Sequence, residues 1–544
     1  MKSVTRSDRE QALAAFIGTH EQRYVPLHVA YNEAAWMLNV TGEERWGEEA
    51  ERHKLAMHDT LSRPEDLRFL LACRDSGEVR DPLLARQLAL LICEFTPHQI
   101  PRELHERIVR LETRLESAFN NFRAELDGER VSDNVLRQVL RESGDADRRR
   151  RAWEAAKQIG ATVAPELVEL VRLRNEAARV LGFRDHYGMS LILDELDETE
   201  LVDLLDRVER DTRAPWQAYK GELDAGLARR FGCDPRELRP WHYGDPFFQE
   251  APVADVGLDE YFTTRSLEDT ARRFFAAVGF DIRDLLARAD LYEKPGKSQH
   301  AFCMSVDRRD DIRILCNLRP NEYWMGTLLH ELGHAVYDQT IDRSLPFFLR
   351  AHAHILTTEA SAMLFGRLTK NAAWLTAWAG APADEAAGRA AAIARAIRDQ
   401  LLVQTRWNLV MCAMERALYA DPGRDLNTLW WDLVERYQDV RRPDGRDAPD
   451  WASKIHFSVA PVYYHNYLLG EIMASQLQAH LLDHVIGGGS AAWPRVVSDP
   501  AVGAYLRERI YRGGRTRDWR DTLIAATGRP LDPGAFVSEL AGRA

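Results

Sequence analysis

The sequence predicts a mainly α fold, a large helical body divisible at most into two lobes, with one small β-hairpin. Three observations predict it. Apolar residues recur at three-four spacing through most of the 544 residues, the mark of amphipathic helices. Strand-like alternation is confined to the region between residues 299 and 317. No low-complexity linker separates independent domains, although the length alone would suggest roughly three or four at about 150 residues each. With 45% hydrophobic and 29% charged residues, the chain can bury a sizeable core, which excludes disorder as its main theme.

The bulk charge excludes further classes. Lys plus Arg number 72 against 84 Asp plus Glu, so the net charge is 72 − 84 = −12. A binder of nucleic-acid backbone needs a basic face that this balance does not supply. Six cysteines lie far apart with no CxxC pair, the usage of a reducing compartment. Charges at Arg6, Asp8, Arg9 and Glu10 interrupt the N-terminal stretch, so no secretory signal is expected. No segment offers the roughly 18–20 uncharged apolar residues of a membrane span. A soluble, cytoplasmic monomer is the expectation.

In chain order, helical patterns run over 8–20, 81–95 and 102–126. Arg148 to Arg151 form a basic run, but Asp145 and Asp147 beside it indicate a solvated helix face. The segment 165–182 opens on Pro165 and closes on Gly182, the usual asymmetry of helix ends. Asp197 and Glu200 cap a helical stretch over 200–230. An aromatic loop follows at 240–256. The arms 299–305 and 312–317 flank a charged turn and form the hairpin. Further helices are expected at 357–369, 386–418, 426–438 and 468–484, with loops at 440–450 and 486–490.

The segment 321–342 carries the chemistry, because it contains His330-Glu331-Leu332-Gly333-His334. Residues four apart on a helix lie one above the other, so both imidazoles reach one zinc ion, and Glu331 can polarise a zinc-bound water. The apolar neighbours Trp324, Leu328, Leu329, Leu332 and Ala335 suit a water-excluding site. A catalytic zinc needs a third protein ligand and one open position. Tyr337 and Thr340 exclude the HExxHxxGxxH continuation, and Asp338 and Asp342 point badly. Glu359 is the better candidate, on a helix capped by threonine and lined with small residues. His352 and His354 are its rivals. More than a hundred residues on, the segment from Trp451 to Tyr467 holds His456 and several tyrosines, donors suited to a developing oxyanion.

These motifs resemble the angiotensin-converting-enzyme-like family of zinc peptidyl-dipeptidases, and the related oligoendopeptidase F and thimet oligopeptidase group. The resemblance rests on HELGH, GDPFFQ around Gln249, HAF at His300, LR before the Glu359 helix, and KIH…PVYY. It spans about residues 160 to 480. It implies a large two-lobed gluzincin metallopeptidase with a deep central cleft and a small hairpin or sheet beside the active site. The chain is then one peptidase unit over 1–544, with a helical lobe or lid to about 160 and the catalytic body beyond. His330, His334 and Glu359 match the ligands of one zinc per chain, and Glu331 the general base and acid. His300 and Ala301 match the residues that bind substrate backbone, and the hairpin edge could add a peptide as a further strand. His456 and Tyr467 resemble the oxyanion donors. Lys454, Tyr463 and Gln249 match the grip on the substrate's C-terminal carboxylate; Lys454 is one of only eight lysines beside 72 − 8 = 64 arginines.

The chain departs from the pattern in three places. The tyrosine at His456 plus eleven falls one residue late, which leaves Tyr464 as a rival to Tyr467. Met363 replaces an aspartate beside the metal ligands, and Asn466 stands where an arginine linked to chloride sensitivity is expected. The expected activity is release of C-terminal dipeptides from oligopeptide substrates. An endo-acting oligopeptidase is the alternative enzyme, and a zinc-stabilised peptide-binding protein without turnover the alternative from another class.

Overall fold

The computed structural model describes residues 7–252 and 256–542. It is mainly α, and among the described residues the only sheets are two antiparallel strand pairs. The chain folds into two compact units, each gathered from separated segments. The first unit comprises Met1–Gln99, Asp255–Ala394 and Leu469–Phe536; the second comprises Ile100–Ala254, Arg395–Leu468 and Val537–Ala544. All six cysteines are free thiols. No helix among the described residues is long and apolar enough to cross a membrane.

The first unit opens on the long helix Asp8–Thr41, whose start is fixed by a capping box between Ser7 and Glu10. Leu13, Ile17, Leu70, Leu91 and Phe95 pack with Phe347 and Phe348 into one core cluster. Strands β3 (Phe302–Ser305) and β4 (Ile312–Leu315) pair antiparallel, with Phe302 opposite Leu315 and Ser305 opposite Ile312. The outer edge of β4 is covered by Asp290, whose N–H donates to Ile314 O at 2.8 Å and whose carbonyl accepts from Cys316 at 2.9 Å. β3 keeps an unpaired edge among the described residues.

The second unit is built around the 35-residue helix Ala146–Val180. The expected start at Pro165 is corrected here, because the helix runs straight through that proline. An interior proline gives up one hydrogen bond and costs roughly 3 kcal/mol in isolation. Ala152, Trp153 and Ile159 before it and Leu167, Leu170 and Val171 after it are all buried, and that packing outweighs the loss. Arg148, Arg150 and Arg151 are solvent-exposed. Arg149 is buried and donates to the carbonyls of Trp241, His242 and Tyr243 at 2.7, 3.0 and 3.2 Å. Gly160 permits another close approach, since a Cβ there would meet Pro449 O at 2.4 Å. The long helix thereby holds both the loop that carries Gln249 and the turn that leads to Lys454. The expected helix over 102–126 ends at Asn121. Strands β1 (Ala124–Leu126) and β2 (Glu129–Val131) follow, joined by Asp127-Gly128, both at positive φ, the signature of a two-residue hairpin turn.

Candidate functional site

In the first unit the HELGH helix spans Glu322–Thr340, and the Asn321 side chain caps it by accepting from the Trp324 N–H at 2.9 Å. Its apolar face (Leu328, Leu329, Leu332, Ala335) is fully buried. The rings of His330 and His334 stand 5.0 Å apart, nearly perpendicular. Beside them lies the helix Ile355–Gly366, brought close by small residues. A Cβ on Gly333 would lie 2.7 Å from Ala362 Cα, and one on Gly366 would lie 3.2 Å from His330 Cβ. The Ser361 hydroxyl ties the pair by donating to Gly333 O at 2.9 Å. A third helix, His465–His480, approaches through Gly470, whose added Cβ would meet Glu359 Cβ at 3.1 Å and Met363 Sδ at 3.2 Å.

This packing gathers one ligand atom each from His330, His334 and Glu359 within 4.8 Å of one another. His330 Nε2 and Glu359 Oε2 are 3.8 Å apart, close to the roughly 3.4 Å edge of a tetrahedral zinc site. Burial pushes the His330 imidazole down to about 4 and, with His330 and His352 nearby, holds His334 well below the usual range. Both rings are therefore neutral and can offer lone pairs to a metal. His334 Nδ1 faces Thr358 Oγ1 at 2.7 Å, which directs Nε2 inward. Two neutral imidazoles and a carboxylate are a donor set that fits zinc and leaves one position open. Glu331 is buried, and burial followed by the Glu359 charge pushes its carboxyl up to about 8.

The rival ligands have other work. His354, rather than a threonine, caps the second helix: its Nδ1 accepts from the Leu356 N–H at 3.1 Å. His352 Nδ1 lies 3.7 Å from Asp338. Asp342 accepts from the N–H and hydroxyl of Ser344. His300 and Ala301 immediately precede β3; His300 is exposed, and its side chain makes no hydrogen bond among the described residues.

In the second unit Lys454 Nζ donates to Gln249 Oε1 at 2.7 Å. The rings of Phe247, Trp407 and Tyr464 surround this ammonium at 5.2, 5.1 and 5.7 Å. One of its three N–H groups is used by Gln249, and the others have no acceptor among the described residues. Burial lowers it to about 8. Asp245 shapes the Gln249 turn by accepting from the N–H groups of Phe247, Gln249 and Glu250 at 2.8, 3.0 and 3.1 Å. His456 packs against Tyr464 with ring centroids 4.9 Å apart and planes tilted by 59°, and Tyr467 lies 5.2 Å from Tyr463 and 5.4 Å from Tyr464. Burial lowers His456 to about 4, so it is a neutral donor, and its buried Nδ1 has no partner among the described residues. The Tyr464 hydroxyl accepts from Trp407 Nε1 at 3.0 Å, which occupies part of its capacity.

A helical body holding two imidazoles and a carboxylate within ligating distance, with a buried carboxyl in the adjacent position, can hold a metal ion beside a group able to move a proton. Comparison with known proteins agrees with it. Residues 7–215 match the family model described as Angiotensin-converting enzyme, and residues 248–365 match that described as Carboxypeptidase Taq (M32) metallopeptidase. The chain is thus similar, over separate stretches, to two families of metallopeptidases. It is also 22% identical over 373 residues to the Inactive angiotensin-converting enzyme-related protein of Caenorhabditis elegans, covering 60% of this chain and 40% of that relative's length.

Several contributors were not legible beforehand. Thr358 sits one residue before Glu359 and acts through a helix–helix contact that no spacing announces. Trp407 and Phe247 enclose Lys454 from segments far away in sequence. The apolar stripes around Arg174 and Glu415 each contain a charge, the available signal of their bonds to the backbone of Phe457, Ser458 and Val462.

Proposed function

We propose that this chain is a zinc peptidyl-dipeptidase that removes dipeptides from the C-terminus of short, unstructured peptides. The observation that carries the reading is the His330–His334–Glu359 cluster with Glu331 buried beside it. His330, His334 and Glu359 would hold one zinc ion. Such an ion supplies Lewis-acid activation of a water molecule and of the scissile carbonyl. Glu331, buried beside the cluster, takes the proton of the attacking water and delivers it to the leaving amine. His456 and Tyr467 donate hydrogen bonds to the oxyanion, where preorganised neutral donors are worth most. Lys454, Gln249 and Tyr463 take the substrate's terminal carboxylate, which matches the two N–H groups of Lys454 left by Gln249. The unpaired edge of β3, preceded by His300 and Ala301, can add the peptide as a strand.

A second reading is favoured by the match of residues 248–365 to the Carboxypeptidase Taq model: release of single C-terminal residues. Mass spectrometry of products from a mixed peptide library, with and without chelator, separates the two. Dipeptides that vanish with chelator support the proposal, and single amino acids support the carboxypeptidase. Equal cleavage of C-terminally amidated peptides would sink both and point to an endopeptidase. The name of the Caenorhabditis relative records an inactive protein. Zinc-loaded chain that binds the library peptides but leaves them intact would indicate a peptide-binding role here too.

A further inference from the structure

The segment carrying His456, Tyr463 and Tyr467 is irregular between residues 460 and 464. It passes from a short helix, His456–Val459, through Val462 into the helix beginning at His465. Val462 adopts φ 55, left-handed backbone that a β-branched side chain rarely takes. Buried irregular backbone must find partners for its polar groups, and here two ionisable side chains provide them. Arg174 lies on the buried face of the helix Ala146–Val180 and donates to Phe457 O at 3.1 Å and Ser458 O at 2.6 Å. It is itself fixed by Glu112 Oε1 at 2.6 Å and the Tyr419 hydroxyl at 3.1 Å. Glu415, from the helix Ala383–Ala420, accepts the Val462 N–H at 2.8 Å. Both side chains are only 3% exposed.

We infer that Arg174 and Glu415 are positioning residues that bracket this segment, Arg174 holding the backbone just after His456 and Glu415 that just before Tyr463. Neither touches substrate. The inference rests on the proposed roles of His456, Tyr463 and Tyr467. Apolar residues would fill these stripes more cheaply than an Arg and a Glu, whose burial costs free energy unless their bonds are made. The bonds they make all lead to the same stretch of backbone or brace the side chain that reaches it. Glu415 fixes the strained Val462, a conformation that persists only where the surroundings over-determine it. Burial pushes the Glu415 carboxyl up to about 8, and the bond it makes, an oxygen accepting from the Val462 N–H, is one that glutamine can mimic.

The test uses the full zinc-loaded chain and two readouts. Hydrogen–deuterium exchange across residues 456–467 should rise in Glu415→Leu and in Arg174→Met, and stay near wild type in Glu415→Gln. The HELGH helix should be unaffected in all three. On a peptide with a free C-terminus, kcat of Glu415→Leu should fall about a hundredfold, the scale of a misplaced catalytic group, with KM and zinc content little changed. Glu415→Gln should remain close to wild type, and adding Val462→Gly to Glu415→Leu should restore part of kcat. A folded Glu415→Leu with wild-type exchange in this segment, or a Glu415→Gln as impaired as Glu415→Leu, overturns the inference. If the wild-type chain cleaves nothing, the proposed function fails instead, and the exchange data alone decide the bracing.

Discussion

His334 enters its cluster with one ring nitrogen already engaged by Thr358, at 2.7 Å. Removing that hydroxyl while keeping the shape, as in Thr358→Val, should weaken zinc affinity roughly 10–100-fold, measured by competition with a chromogenic chelator. Glu331 differs because the proposed reaction has it move a proton. Glu331→Gln should retain zinc in elemental analysis and lose roughly 10²–10⁴-fold in kcat, the span of general acid–base catalysis; wild-type turnover would refute its assignment. Lys454→Met should raise KM for peptides with a free C-terminus and leave amidated peptides unaffected. The residue types were readable from the sequence wherever a motif fixes spacing, as in His330 to His334. They were unreadable where function arises by contact between distant segments: nothing near Lys454 signals the rings of Phe247 and Trp407.

At the scale of elements, the cluster depends on how closely two helices approach. Gly333 carries a cost of about 1 kcal/mol against alanine in an unconstrained helix. Here an added Cβ would stand 2.7 Å from Ala362 Cα, against backbone that cannot rotate away. Gly333→Ala should therefore destabilise the fold by about 1–3 kcal/mol despite its better helix propensity, and lower zinc occupancy; urea unfolding with parallel metal analysis checks both. The sequence showed this helix and the small residues of its partner, but it misplaced the partner's start. Threonine at 357 looked like the cap, whereas His354 supplies it, because a histidine's Nδ1 can accept like an oxygen and its preference for that position is weak. Pro165 misled in the opposite direction: a local breaking signal was overridden by burial on both sides of it.

For the molecule as a whole, the second unit contains a cation buried at a cost. Lys157 is 4% exposed and has no hydrogen bond or ion pair among the described residues, only the Phe247 ring at 3.3 Å and the Trp153 ring at 5.4 Å. Burial lowers its ammonium from 10.5 to about 7. Between those values the unfolded chain binds the proton that the folded one lacks, so this group makes stability rise with pH across that window. Below about 7 the full penalty of a buried charge applies. Lys157→Met should exceed wild type in stability near pH 6.5, with the advantage fading as pH approaches 10, as followed by denaturant midpoints. Helical character was evident throughout the sequence, but the grouping of segments into units was not, since it is set by contacts between positions hundreds of residues apart. The first unit takes its last segment from Leu469–Phe536, and Leu13 and Phe95 share a core with Phe347 and Phe348. A ribosome must therefore release some 250 further residues before the N-terminal helices meet those phenylalanines. During that interval their apolar faces are exposed, so the emerging chain is a natural client for chaperones, and no contiguous fragment contains one unit whole without segments of the other.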